Sequence, residues 1–380
     1  MKKVFMFSSV HPWNDTRVYY KEALSIASMG YEIELHAIKN NIVYDKEKTN
    51  LKVFCLEKRK RNTRFKTLTE LLSRALKSKA DIYHFHDPEL LPIGYVIKKI
   101  TKAKVVFDMH EDFPAAIRSK EWIPEHLRIP ISKFVGVLEK YFLKKCDAVI
   151  FAEKYYKENY EKINIIKQDI YNYPLENLNK MNSLKNEVPE IVYAGAISKS
   201  RGFMEMLYLA RELKFRGIQF KINIIGEIPL SLRNDTNQFI EDNQLLEVVE
   251  FTGRLPLNQV VSYYEKASIG LAILHPEKNY LRSLATKIFE YMSHGIPVIA
   301  SNFPEWKELI EENNCGIVVD PFDVKQIASA VEQLLKTEKT RMLMGSNGYK
   351  AYKNKYNWDL EEKKLSDLYS MLYVERESRK

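Results

Sequence analysis

The loop after the first apolar run of this sequence contains no glycine. "VFMFSSVHPWNDTRVYYKEALSIASMG" passes from a hydrophobic strand (Val4 to Phe7) through Ser8, Ser9, Val10, His11, Pro12, Trp13, Asn14 and Asp15 into a helix that stops at Gly30. A dinucleotide-binding unit keeps its phosphate-cradling glycines in that loop, so this loop does not hold phosphate in that way. Cysteine is also scarce. Cys55, Cys146 and Cys315 are too far apart for a ligand or disulfide pattern, and the cytoplasm is the simplest compartment for them. No uncharged apolar run reaches about 18 residues, which excludes a predicted spanning helix. "MKKVFMFSSVHPW" lacks a small-residue cleavage site and reads as a first strand, not a signal peptide. Solenoid repeats and low-complexity tracts are missing too.

What is there describes a soluble globular chain: 45% hydrophobic and 29% charged residues over a length of 380 that favours two domains. The net charge of +9 is uneven. Residues 1–180 carry 33 Lys+Arg against 23 Asp+Glu, whereas the remaining 200 carry 26 against 27. The basic excess peaks at "EKRKRNTRFK" (57–66). That run is either a solvated loop leading into a helix or a patch attracted to an anionic membrane surface. Nucleic acid is not expected, because only Phe65 interrupts the charges and a strand platform of interleaved aromatics is absent.

Strand-like and helix-like segments alternate throughout. "YEIELHAI", "DIYHFH", "KVVFDMH" and "DAVIFA" in the first half, and "EIVYAG", "FKINIIGE", "VVEFTG", "IGLAIL", "IPVIAS" and "CGIVV" in the second, are nearly continuous apolar strands. Such strands lie in parallel sheets covered on both faces. A polar, proline-bounded stretch without hydrophobic period (171–189) separates the halves. The expected division is a domain over 1–172, a linker over 173–188, a second domain over 189–355 and a terminal segment over 356–380. The fold class is α/β, with two Rossmann-like doubly wound parallel-sheet domains facing across a cleft. Ligands of open α/β sheets bind beyond the carboxyl ends of the strands.

Several unusual residues stand at those ends. "HFHDPELLP" gives His84, His86 and Asp87, with Pro88 at the first position of a helix that Asp87 can cap. "VVFDMHEDFP" gives Asp108, His110, Glu111 and Asp112. These residues can be core histidines and caps, metal ligands, or substrate contacts, with His110 the foremost candidate for the last. In "LHPEKNYLRSLATKIFEYMSHGIPVIASNFPEW" a helix is predicted from about Leu284 to His294, ending at Gly295. Its amino end offers free N–H groups to an anion, with Lys287 in the first turn and Glu290 placed to accept paired ribose hydroxyls. Gly195 and Arg201 follow "EIVYA", and the arginine can fork onto a diphosphate. Arg254 in "FTGRLP" follows another strand, where backbone can meet a nucleotide base.

Together, "FDMHED", "YAGAISKSRG" and "ATKIFEYMSHGIPVIAS" resemble the family 4 retaining glycosyltransferases of GT-B fold, over essentially the whole chain. The resemblance implies that Glu290 binds the nucleotide ribose, and that Gly195, Arg201 and the backbone around Thr286, Lys287 and Ile288 face the donor diphosphate. His110 would face the donor sugar and the reacting centre, and His110, Arg201 and Lys287 would be the catalytic set. The last helix would return to the first domain. Three departures stand out: Arg282 occupies the place of the family's first glutamate, Ala196 that of an arginine after the loop glycine, and the first loop lacks its common glycines. Glu277 or Asn279 would substitute for the missing glutamate. His11, Trp13, Asn14, Asp15 and Arg17 would line a polar and aromatic wall for acceptor or donor sugar, along with His86, Asp87 and Glu111. The alternative for Asp15 is a helix cap before Thr16 or Arg17.

The implied activity is retaining transfer of a sugar from a UDP- or GDP-linked donor to a hydroxyl of a glycan or lipid-linked glycan. This would serve surface polysaccharide or glycolipid synthesis, without cofactor or obligatory metal, in the cytoplasm or at the inner face of the membrane. A nucleotide-sugar epimerase and a non-catalytic partner subunit are the competing readings.

Overall fold

A computed structural model describes residues 2–40, 50–118, 120, 122–175 and 187–377. The chain forms two compact units, Met1–Asn172 with Trp358–Lys380, and Tyr173–Asn357. Residues 176–186 of the expected linker lie outside the described residues. Tyr173, placed in that linker by sequence, packs within the second unit, its ring 4.7 Å from Phe289 and 5.5 Å from Tyr356.

The first unit holds a seven-stranded sheet: β1 (Lys3–Pro12), β2 (Glu32–Ile38), β3 (Leu51–Leu56), β4 (Ile82–Phe85), β5 (Lys104–Met109), β6 (Ala148–Phe151) and β7 (Ile166–Asp169). Its order is 3-2-1-4-5-6-7, with every pair parallel. The second unit holds β8 (Glu190–Ala194), β9 (Lys221–Ile225), β10 (Val249–Gly253), β11 (Ala267–Ala272), β12 (Val298–Ser301) and β13 (Gly316–Val319), in order 10-9-8-11-12-13 and again parallel. Parallel strands need helical crossovers, and those helices cover both faces. Phe5, Phe7, Tyr83, Phe85 and Phe107 fill the first core. Ile191, Tyr193, Ile222, Ile269 and Leu271 fill the second.

Each sheet reverses its strand order once, between β1 and β4 and between β8 and β11. Crevices for ligands open at such switch points, at the carboxyl ends of the strands. Ser8, His11, His86 and Asp87 stand there in the first unit, and Gly195, Arg201 and His275 in the second.

Two strands, β3 and β7, were not read from the sequence. They are the two edges of the first sheet, half exposed, and "IKQD" of β7 carries no apolar pattern. The helix after β1 also differs from expectation. Thr16–Ala23 winds as a π-helix before an ordinary α-helical turn at Leu24–Ser28. The terminal helix, Trp358–Glu377, packs on these two segments and on β7. Trp358, Leu365, Leu368, Tyr369 and Leu372 of that helix are buried, and the Trp358 indole donates to Ser25 Oγ at 3.0 Å. No helix among the described residues is long and apolar enough to cross a membrane.

Gly202 marks the start of the Phe203–Phe215 helix with a φ of 71°. A Cβ there would sit 1.8 Å from the carbonyl oxygen of Ile273, so both the backbone angle and the space require glycine. Gly202→Ala is expected to destabilise the second unit by on the order of 2–4 kcal/mol, combining strain and overpacking. Chemical denaturation of the variant against the parent checks this, and an unchanged midpoint would refute it.

Candidate active site

In the second unit the Thr286–Ser293 helix begins at Ala285 without a side-chain cap, leaving its first amide N–H groups for another acceptor. Lys287 in its first turn is only 5% exposed. Its Nζ lies 3.8 Å from the centroid of the Tyr193 ring and has no hydrogen-bond partner. Burial, with the Arg201 charge adding to it and Glu290 opposing, brings the Lys287 ammonium down to about 7. Arg201 reaches from the turn after β8, its guanidinium 5.6 Å from the Tyr280 ring centroid. Among the described residues neither cation forms an ion pair with a carboxylate.

Gly195 completes this wall. Its φ of 147° is one that favours glycine, and a Cβ built on it would lie 3.5 Å from Lys287 Nζ, in contact with the ammonium. Two basic side chains, the uncapped helix amides and a glycine loop line a cradle whose chemistry suits an anion. One turn along the helix, Glu290 Oε2 accepts from the Tyr264 hydroxyl at 2.8 Å. Tyr264, 1% exposed, was missed in the sequence because it reads as an ordinary core aromatic. Its hydroxyl fixes one carboxylate oxygen of Glu290 in place.

The other expected donor contacts are placed differently. Arg254 is exposed in the loop after β10, and no described contact joins it to Lys287, Arg201 or Glu290. Glu277 is exposed and begins the short Lys278–Leu281 helix. The Asn279 side chain lies outside the described residues. His275 was not singled out by sequence. Its N–H donates to the Ser200 carbonyl at 2.8 Å, tying the loop after β11 to the turn that carries Arg201.

In the first unit the strand ends carry a fully buried carboxylate. Asp108 Oδ2 accepts from Arg17 Nε at 2.8 Å and Oδ1 from Arg17 Nη2 at 2.8 Å. His110 Nε2 lies 2.6 Å from Asp108 Oδ2, and His86 Nδ1 lies 3.2 Å from the same atom. Burial opposes ionisation of Asp108, but Arg17 and then His110 outweigh it and hold the carboxyl well below its usual range. Glu22 Oε1 is 3.0 Å from Arg17 Nε. Burial and the Asp108 charge push the Glu22 carboxyl well above its usual range, against the pull of Arg17.

His84 and His86 are both held neutral, chiefly by burial, with His86 brought down to about 4. His84 Nδ1 meets the Tyr369 hydroxyl of the terminal helix at 2.8 Å. A second pair lies alongside. Asp87 Oδ1 is 3.1 Å from His11 Nδ1, and Asp87 Oδ2 accepts from Ser8 Oγ at 2.8 Å and Ser9 N at 2.6 Å. Burial alone would lower the His11 imidazole, yet the Asp87 carboxylate raises it. The His11 and His110 rings are 4.9 Å apart.

This geometry corrects the assignments of Arg17, Asp87 and Trp13, and takes the second of the two readings of Asp15. Arg17, expected on an open wall, is 4% exposed because its charge is consumed by Asp108. Asp15 caps the π-helix instead, its Oδ1 accepting from the N–H of Arg17 and Val18. Asp87 does not cap the Pro88–Leu90 turn, because its carboxylate turns to β1 and His11. Trp13 is 5% exposed and forms part of the core, whereas Glu111 is exposed beside His110.

Donor atoms of Glu22, His84, His86 and Asp108 lie within 4.8 Å of one another. Glu22 is the member that sequence missed. Arg17 and Glu22 are five apart, a spacing that stacks on one face of a π-helix but diverges on an α-helix. A divalent cation there would share both carboxylates with the buried guanidinium, and the like-charge repulsion disfavours it.

Two family models match the chain: "Glycosyltransferase Family 4" over residues 16–171 and "Glycosyl transferases group 1" over 176–351. The capsular polysaccharide biosynthesis glycosyltransferase CapM of Staphylococcus aureus is 24% identical over 203 residues, 53% of this chain and 50% of that one. Alpha-D-kanosaminyltransferase of Streptomyces kanamyceticus is 29% identical over 181 residues, 48% of this chain and 45% of that one. The chain thus spans about half the length of these curated relatives. Sucrose-phosphate synthase from Thermosynechococcus elongatus superposes with a TM-score of 0.78 at 17% identity, covering 98% of this chain and 100% of that chain. HepE from Anabaena in complex with UDP superposes at 0.69 and 14% identity, covering 98% and 100%. These likenesses establish the GT-B type of fold.

Removing the Asp108 charge takes away the two-point partner of the buried Arg17 guanidinium and leaves it only Glu22, at 3.0 Å. Asp108→Asn is expected to cost the first unit about 3–5 kcal/mol, as for other broken buried pairs. His110→Ala, at the half-buried rim, is expected to cost only about 1 kcal/mol. Urea unfolding of the two variants measures the contrast, and equal effects would contradict the assignment.

Proposed function

We propose that this chain, which belongs to the family 4 glycosyltransferases, moves a sugar from a nucleoside-diphosphate donor to an acceptor hydroxyl with retention of anomeric configuration. The observation that carries the proposal is the buried Lys287 ammonium beside Arg201, with no carboxylate paired to either, at the uncapped amino end of the Thr286–Ser293 helix. Among the described residues no carboxylate pairs with either cation, which leaves the arrangement open to an anion from outside the chain.

The donor diphosphate binds against Arg201, Lys287 and the helix amides, and the ribose hydroxyls meet Glu290. As the bond from the sugar to the diphosphate breaks, negative charge grows on the departing phosphate, and these preorganised groups stabilise it. The departing phosphate oxygen accepts the proton of the attacking hydroxyl on the same face of the sugar. The cradle supplies the positive charge of this step itself, so a metal is not obligatory. In the first unit, His110 contacts the reacting sugar through the ring edge not engaged with Asp108.

CapM and the colanic acid protein WcaL of Escherichia coli are named for polysaccharide biosynthesis. Their names support a glycan or lipid-linked glycan acceptor in surface polysaccharide synthesis, and the UDP in HepE supports a uridine donor. The enzyme would then work on the cytoplasmic side of the membrane.

A thermal-shift screen of nucleotide sugars identifies the donor, because selective binding raises apparent stability. With that donor saturating, Arg201→Ala is expected to lower kcat by about 10²-fold, as for loss of a preorganised charge donor. Unchanged turnover would remove Arg201 from the role and the proposal with it.

The lowered Lys287 makes a separate prediction. A bound diphosphate raises the ammonium above its free value of about 7. Affinity is therefore full below that value and declines as pH rises through the bound one, with proton uptake on binding. Calorimetry of nucleoside diphosphate binding at mildly alkaline pH, in buffers of different ionisation enthalpy, should register that uptake. Lys287→Met should abolish it and weaken binding. No uptake by the parent protein would refute the role.

A further inference from the structure

The Glu125–Leu143 helix buries one side and leaves an apolar stripe on the other. Ser132, Glu139 and Leu143 face inward. Leu127 (41% exposed), Phe134 (64%), Val137 (68%), Leu138 (39%) and Tyr141 (49%) lie outward. With 3.6 residues per turn, these five fall within an arc of about 100°, opposite the buried side, whereas Ile129, 58% exposed near the start of the helix, lies outside that arc. Pro130, also exposed, continues the stripe between Leu127 and Phe134. Trp122, 58% exposed, stands just before the helix.

The charges around the stripe have one sign. Lys133 and Lys140 flank it, Lys144 extends the same flank just past the helix end, and all three are exposed. The helix has only two carboxylates: Glu125 at its first residue, and Glu139, buried with the Tyr160 hydroxyl donating to it. Lys140 holds its ammonium 5.7 Å from the Tyr160 ring, on the side of Glu139, so the outward side combines bulky apolar groups with Lys133 and Lys144.

We propose that this helix is the surface by which the chain docks on an anionic lipid bilayer. Phe134, Val137, Leu138 and Tyr141 enter the boundary between headgroups and acyl chains. The lysine stems run along the apolar stripe and carry their ammonium groups up to the phosphates. An ordinary soluble surface scatters its apolar residues, whereas a contiguous stripe rimmed by charge of one sign marks an interaction face. The basic run at 57–66 fits this partner less well. Arg59 is paired with Glu70 at 2.8 Å and Arg64 with Glu89 at 3.1 Å, and Phe65 is the one large apolar side chain the run exposes. The proposal stands independently of the transferase reading.

The test is flotation of the full chain with vesicles of phosphatidylcholine containing phosphatidylglycerol, and with phosphatidylcholine alone, at low ionic strength. The parent chain should float with the anionic vesicles. Phe134→Ser combined with Val137→Ser should lower partitioning about tenfold. Lys133→Gln, Lys140→Gln and Lys144→Gln together should abolish the preference for anionic vesicles. All five side chains are exposed, and unchanged circular dichroism and thermal midpoints verify the fold. The proposal fails if the parent does not float, or if the apolar pair leaves partitioning unchanged. It also fails if neutralising Lys58 to Arg61 alone removes binding. A serine pair that converts a dimer to a monomer without affecting flotation would assign the face to a second copy of the chain and overturn it.

Discussion

The first unit depends on one charge. Asp108 is fully buried at the end of β5, and an ionised carboxylate in that position is tolerable only if every lone pair is answered. Arg17 answers two from the π-helix, while His86 and His110 answer the rest from β4 and the end of β5. Four chain segments must therefore be in place before the cluster exists, because Tyr369 of the terminal helix also fixes His84 beside it. The arrangement carries a functional consequence. With Asp108 ionised, the His110 nitrogen facing it must hold a hydrogen, and the other ring nitrogen is the one turned away from the carboxylate.

The second unit solves the opposite problem. Here a cation is buried and its counter-ion is left out. Tyr193 offers Lys287 its ring face, a weaker partner than a carboxylate, and the ammonium drops toward neutrality. An arrangement that costs stability in the empty protein persists where a ligand restores the balance. The surrounding glycines serve the same end. A Cβ at Gly226 would lie 2.2 Å from the Gly195 carbonyl oxygen, so the two strand ends can approach only while that residue is glycine. Tyr264 then holds Glu290 at a fixed distance along the helix from the cradle. The groups we propose for the diphosphate and for the ribose hydroxyls thereby share one helix, one turn apart.

The central strands were legible because they are apolar on both faces, and that pattern survives without any structural knowledge. The edges β3 and β7 were not, since an edge strand is half wet and its sequence looks like loop. The same contrast runs through the site. Lys287, Glu290, Arg201 and His110 were readable from their positions after strands and at a helix start. The partners that set their states were not. Glu22 comes into play only through the π-helical winding, Tyr264 reads as core, and Asp87 sits where a helix cap would sit. Local spacing singles out the groups to which we assign the proposed chemistry, but the groups that hold them come from distant segments and carry no local mark.

Charge illustrates why local density misleads. The run at 57–66 is the most basic stretch of the sequence, yet two of its arginines are satisfied by glutamates of neighbouring helices. The Glu125–Leu143 helix has fewer cations and a lower density of charge, and "HLRIPISKFVGVLEKYFL" reads at first as a helix meant for the core. Its inward side is in fact the narrow one, lined by Ser132, Glu139 and Leu143, while the larger side chains face outward. Hydrophobic periodicity says that a helix has an apolar face and is silent about whether protein lies against it. Burial supplies the missing fact. Once Phe134 and Val137 are known to stand in water, the lysines beside them cease to be ordinary solubilising charges and become the polar rim of an apolar stripe. The bilayer we propose for that stripe answers both counts, being oily beneath and negative above.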